Sequence, residues 1–294
     1  MKLRQNLGYA AFFIFSFVVG LYLTFPWILV KDRILALVKE KTGVKIAASK
    51  LEPHWVTGVE LENVEIQGSD PKAEPTKLDK IRARVSLLKV LTGKPGGSVW
   101  IPMGKGTIDA SFAVGKDVFE LDADIEKLAL EETPFLLAAS GLPLVGTLDL
   151  EASLKLGKDD PKQSRGKIVI TTKGFEIEKG GKLGPLPVPA LVFGDLKLEL
   201  PLEDGKIDLK GVKLPGADLE IALDGSISPA WPLAKGTINL TVGLKPTEKL
   251  LSADPLLRPL LNNFQSYKDG EGFYGIALVG SLAAPRPQPK RRGG

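Results

Sequence analysis

The chain has 294 residues and no cysteine, which excludes disulfides, thiolate metal sites and cysteine nucleophiles. Hydrophobic residues make up 44% and charged residues 25% of it, the proportions of a folded protein rather than a disordered one. The formal net charge of +4 is small for this length and sits partly in Lys290-Arg291-Arg292, so nucleic acid is not indicated as a partner.

The first element is the run from Leu7 to Val30, which carries no charge. Lys2 and Arg4 precede it, and Lys31 and Arg33 close it. About 20 apolar residues in a helix cross a hydrocarbon core of about 30 Å. The run is longer than the apolar region of a signal peptide and ends in bulky Phe25-Pro26-Trp27 rather than a small-x-small cleavage site. It reads as an uncleaved membrane anchor over residues 1–30. Leu7, Phe12, Phe13, Phe15, Phe17 and Leu21 are its apolar anchor residues, with Tyr22 and Trp27 suited to the headgroup level. The positive-inside bias slightly favours a cytoplasmic N-terminus and an exported body.

From 31 to 43 apolar residues such as Ile34, Leu35, Leu37 and Val38 recur at helical spacing among charged ones, and Gly43 is a C-terminal stop. This juxtamembrane amphipathic helix lies along the membrane surface or packs on the first strands; the pattern accommodates both.

Beyond Gly43 the period changes to two. Val59 and Leu61 alternate with Glu60 and Glu62, and Ile81, Ala83 and Val85 alternate with Arg82 and Arg84. The same pattern continues through Ile108 and Phe112, through Leu121, through Leu148, Leu150 and Leu154, and through Leu196, Leu198 and Leu200. It resumes at Leu219, Ile221 and Leu223, at Ile238 and Leu240, and at Ile276 and Leu278. Such alternation means one apolar face and one wet face. Glycine opens several of these units, at Gly106, Gly146, Gly166, Gly194 and Gly236. Helical interruptions are predicted over 131–140 and 247–264, and the prolines of 183–190 argue against an internal strand there. The residues 44–284 therefore form a β-rich domain, a long antiparallel meander with few short helices. An apolar sheet face must be covered, so the sheet curls on itself, as an open groove or a barrel. The last residues, 285–294, rich in Pro, Gly and basic side chains, read as a mobile tail.

No catalytic constellation emerges. His54 is the only histidine and cannot supply a His-rich metal site. Asp122 and Asp124 share a strand face but alternate with Leu121, Ala123 and Ile125, as the solvated face of an ordinary strand does. Gly93-Lys94-Pro95-Gly96-Gly97 lacks the Gly-Lys-Ser/Thr ending of a P-loop. No catalytic residue, cofactor or metal is assigned, and the chain is read as non-enzymatic.

Four places carry a family resemblance. They are Lys41-Thr42-Gly43-Val44 leading to Gly58-Val59-Glu60-Leu61-Glu62-Asn63-Val64; Leu87-Leu88-Lys89-Val90-Leu91-Thr92-Gly93-Lys94; Gly141-Leu142-Pro143-Leu144-Val145-Gly146-Thr147-Leu148; and Gly280-Ser281-Leu282-Ala283-Ala284-Pro285. In this order the chain resembles the GspN-type proteins of bacterial type II secretion systems, which are similar to AsmA-like and TamB-like envelope proteins. The resemblance implies a single-pass inner-membrane protein with a periplasmic body. It is then an accessory of protein secretion with other envelope proteins as partners. The AsmA-like side implies, as the alternative, a groove that binds phospholipid acyl chains or transfers lipid.

Overall fold

The computed structural model describes residues 45–292 except 55–56, 68–74, 87–88, 90–91, 134–135, 137–140, 184–185, 232–234, 255–256 and 283. The anchor and juxtamembrane helix expected over 1–43 lie outside the described residues. Among those described, no helix is long and apolar enough to cross a membrane.

Among the described residues the body is one antiparallel sheet of 15 strands. The first eight follow in chain order: β1 (Lys45–His54), β2 (Gly58–Gln67), β3 (Thr76–Val85), β4 (Gly96–Met103), β5 (Gly106–Val114), β6 (Val118–Ala129), β7 (Leu144–Gly157) and β8 (Arg165–Ile177). A separate pair, β9 (Lys182–Leu183) and β10 (Leu186–Pro187), occupies the proline-rich stretch off the main sheet, where missing N–H donors bar a central strand. The meander resumes with β11 (Leu191–Glu203) beside β8, then β12 (Lys206–Asp208). Strand β13 (Val212–Leu214) also pairs with β14 (Leu219–Ser228), and β15 (Thr237–Pro246), β16 (Tyr274–Ser281) and β17 (Ala284–Pro289) complete the sheet.

Two of the glycines expected to open strands lie inside them. Gly146 in β7 and Gly194 in β11 sit at shifts of register and have φ of +120° and +85°. Only glycine adopts these values without a Cβ penalty, so the glycines mark bulges. A third bulge, in β6, is held by Asp149, whose Oδ1 accepts the N–H of Lys127 at 2.7 Å.

Short helices α1 (Glu248–Ala253) and α2 (Leu257–Asn262) fill the predicted 247–264 interruption. Thr247 caps α1 by accepting the N–H of Leu250. Leu250 is buried with Ile177, Leu191, Phe193 and Leu219, closing one end of the sheet.

The sheet curls towards its apolar face. Phe119 on β6 stacks on Trp231, three residues past the end of β14, with ring centroids 3.8 Å apart. Five strand steps of about 4.8 Å would separate β6 from β14 in a flat sheet by about 24 Å. A three-residue reach of about 10 Å cannot span that distance. Around this stack Leu154, Leu156, Leu200, Leu202, Ile207 and Leu240 are buried together.

Residues 285–289, read from the sequence as part of a mobile tail, instead belong to the edge strand β17. Pro285, Pro287 and Pro289 pair with Gly280, Leu278 and Ile276. The intervening residues point their backbone groups at β16, as Lys290 does in donating to Gly275 O at 3.0 Å. The outward positions are prolines, so this edge offers no N–H to an incoming strand. Past the strand, Arg292 donates to Asp269 at 3.0 Å and to Glu271 at 2.7 Å and lies over the Phe273 ring at 4.7 Å. Burial alone would raise the Asp269 carboxyl. N–H groups of Phe273 and Glu271, and the Arg292 charge, bring it below its ordinary value instead.

Candidate functional site

The two faces of the sheet differ in chemistry. On the polar face, Asp109, Asp124 and Glu151 stand directly opposite one another across β5, β6 and β7. With Ser111, Asp122, Ser153 and Lys167 they line an open depression of about 400 Å³. Ser153 donates to Asp122 at 2.7 Å. That hydroxyl–carboxylate pair is exposed, and among the described residues no group of acidic or histidine side chains has a metal-binding arrangement.

Further along that face Glu60 collects Arg82, Lys80 at 3.7 Å and His54 at 3.9 Å. The hydrogen bond from Arg82 holds the Glu60 carboxyl below its ordinary value, and Arg82 also covers Trp100 at 4.6 Å. Hydrogen bonds from Lys167 and Lys197 hold Glu199 down to about 2. These are cross-strand and same-face charge ladders of an exposed sheet surface, worth little individually. His54 takes its place among them as one neighbour of Glu60.

The apolar face is different. The strand registers bring the predicted residues together in rows that run across the strands. One row joins Ile101, Ile108, Ile125, Leu150, Ile170 and Leu198. A second joins Gly97, Phe112, Leu121, Leu154, Gly166 and Leu202. In the C-terminal half, Leu223, Val242 and Ile276 align, as do Ile221 with Leu244, and Leu240 with Leu278. Ile238 faces Ile227.

Covering is incomplete. Of the sixteen predicted face residues only Leu154, Leu200, Leu219 and Leu240 are buried. Ile108, Leu121, Leu148, Leu150, Leu196, Leu198, Ile221, Leu223, Ile238, Ile276 and Leu278 are half-buried. Phe112 is 40% exposed, and Val85 beside it 53%. A filled core would bury such side chains almost completely. The face is packed in three clusters, around Phe119 and Trp231, around Val64, Leu78, Ile81, Met103 and Leu128, and around Leu250, and is incompletely covered between them.

Between the two bulky rows the sequence pattern concealed a third. Pro53, Val59, Ala83, Val99, Ala110, Ala123, Ala152, Ile168 and Leu200 are successive cross-strand neighbours from β1 to β11. All are half-buried except Leu200, which is buried. Alternation marks each of these residues as inward, but only the register aligns the small ones. On the same face, Thr172 is buried between Leu148 and Leu196, and its hydroxyl has no hydrogen-bond partner. Thr172→Val removes that uncompensated group and should raise stability by about 1 kcal/mol in chemical denaturation.

The eight anchor residues Leu7, Phe12, Phe13, Phe15, Phe17, Leu21, Tyr22 and Trp27 lie outside the described residues. Comparison of the chain with protein-family models, with curated proteins and with solved structures found no match.

Proposed function

We propose that the chain is a non-catalytic, membrane-tethered protein of the bacterial inner membrane whose periplasmic sheet holds lipid acyl chains on its apolar face. The observation that carries this reading is the incomplete burial of Leu121, Leu150, Leu198 and their neighbours over many adjacent strands, with Phe112 40% exposed among them. Contiguous apolar surface of this extent marks a binding surface in a soluble domain. Each methylene removed from water onto it contributes about 0.8 kcal/mol. The charge-free run from Leu7 to Val30 supplies the tether.

The test is the lipid content of the full-length protein purified from membranes in mild detergent. Phospholipid retained through purification in near-stoichiometric amount is the expected result. A lipid-free protein that also takes up none from vesicles of phosphatidylethanolamine and phosphatidylglycerol contradicts the reading.

A second reading, an accessory role in type II protein secretion, rests on the order of the four motifs from Gly58 to Pro285. The two are compatible, since a lipid-holding subunit can serve an envelope machine. Deleting the gene should lower export of secreted enzymes without lowering their synthesis; unchanged export counts against it.

A further inference from the structure

Strand β17 and the arginine that follows it close one edge of the sheet. We infer that Asp269, Glu271 and Phe273 form an arginine-binding site, filled here by the chain's own Arg292, and that residues 284–292 of a second copy take the same place when the chain's own strand detaches. The inference does not rest on the lipid-holding reading. Lys245, which lies over the Phe273 ring at 5.4 Å, alternates with Leu244 and so stands on the face opposite the apolar one.

Three observations converge. First, the site is built around a guanidinium. The Arg292 side chain is only 14% exposed and that of Asp269 8%. Arg292 Nε donates to Asp269 Oδ2 at 3.0 Å, and a terminal nitrogen donates to Glu271 at 2.7 Å. The guanidinium lies over the ring of Phe273 at 4.7 Å, and Phe273 is 2% exposed. Two glycines leave it room. A Cβ on Gly243 would stand 3.3 Å from Arg292 Cδ, and one on Gly275 would stand 1.9 Å from the Lys290 carbonyl oxygen and 3.0 Å from the Arg292 nitrogen. Two carboxylates at the edge of a planar fork and a ring beneath it suit arginine and not lysine.

Second, the site is held in shape by bonds that do not involve Arg292. Asp269 Oδ1 accepts the N–H groups of Glu271 and Phe273 at 2.8 and 2.9 Å. The Asp269 N–H donates to the Phe273 carbonyl at 2.9 Å. These bonds fix the carboxylate with Oδ2 left for the guanidinium. Lys213 holds Glu271 at 3.0 Å from the other side. A site ordered in advance costs little to refill.

Third, the strand that carries Arg292 is lightly held. Every residue from Ala284 to Arg291 is exposed, so apolar burial does not fasten β17. Its prolines donate no hydrogen bond, which leaves alternate residues such as Arg286, Gln288 and Lys290 to pair with β16. Arg292 is the fastening.

The occupant follows from length. Only residues 282 and 283 separate β16 from β17. If that turn straightens, residues 284–292 point away from their own β16 and reach only another chain. A second copy supplies the same alternate N–H groups and an arginine at the same distance, so each chain regains what it released. Such an exchange is reciprocal and closes as a two-fold pair.

The first measurement is binding of a peptide of residues 284–292 to the full-length protein in mild detergent, by fluorescence anisotropy. In the parent the chain's own strand competes, which lowers the apparent affinity by the fraction of molecules whose site is open. Arg292→Ala unfastens that strand and should bind the peptide about tenfold more tightly. Adding Asp269→Asn keeps an oxygen for the loop's N–H groups but removes the charge, and should abolish the gain. Arg292→Lys within the peptide should abolish it too. The second measurement is native mass spectrometry of two full-length variants, one isotope-labelled. Arg292→Ala offers an empty site, and Asp269→Asn with Glu271→Gln offers an unfastened strand that still carries its arginine. Mixed, they should pair in excess of either with itself. Peptide binding that Arg292→Ala leaves unchanged, or that does not depend on Asp269, overturns the arginine site. Peptide binding as expected without an excess of mixed pairs overturns the second copy as its occupant.

Discussion

Leu156→Asp will cost the domain more than about 4 kcal/mol and should abolish a cooperative thermal transition. Leu156 is 0% exposed, and it sits among Phe119, Leu200 and Leu202 at the end of β7. Truncating a buried leucine alone costs about 2–5 kcal/mol. An aspartate adds an unpaired charge that the site cannot hydrate. Leu154→Asp, on the same face and nearly as buried, should behave similarly but less severely. Asp122→Leu on the opposite, exposed face should shift stability by no more than about 0.5 kcal/mol. Circular dichroism melts of the three variants decide the matter. A Leu156→Asp protein that melts with the parent would show that the packed face has been misassigned.

The second large effect concerns the stack that closes the curl. Trp231 lies flat on Phe119 at 3.8 Å and is half-buried. Trp231→Ala should destabilise by about 2–4 kcal/mol, somewhat less than for a fully buried aromatic. Phe119, buried at 6% exposure, should cost about 3–5 kcal/mol when truncated. A double-mutant cycle between them should give a coupling of about 1 kcal/mol, the worth of an aromatic pair beyond its buried area. Additive losses would mean that the ring contact does not hold β6 to the β14–β15 connection.

The strands were largely legible because alternation is a local property. Leu148, Leu150, Leu154 and their polar neighbours announce a one-sided strand without reference to any partner. The same rule failed where a bulge interrupts the period. Gly146 and Gly194 looked like strand starts because the alternation restarts after them, whereas the strands run through both. The end of the chain misled for another reason. Proline and glycine content suggests mobility, yet prolines at every second position are compatible with an outermost strand whose free edge needs no donors. Arg292, drawn as one charge in a basic tail, finds Asp269, Glu271 and Phe273 only after the fold has closed.

The candidate site was half legible. The identity of the inward residues follows from their spacing. Their alignment does not, because register depends on which residues of distant strands meet. Ala110 and Ala123 are 13 residues apart and Ala152 follows 29 later, intervals with no common period. Only the pairings Ala110 to Ala123 and Ala123 to Ala152 place the three side by side.

The chain contains no cysteine, so a single nitroxide label can be placed at will. With Leu150→Cys labelled in the full-length protein, electron paramagnetic resonance should report a site on the apolar face reachable by oxygen and by a water-soluble relaxer. On adding vesicles of phosphatidylethanolamine and phosphatidylglycerol, the water-soluble relaxer should lose access while oxygen retains it, as hydrocarbon covers the face. A label at 150 that is immobile and shielded from both relaxers before and after lipid is added would mean that the face is a filled core, and the account of an open, lipid-holding sheet would be wrong.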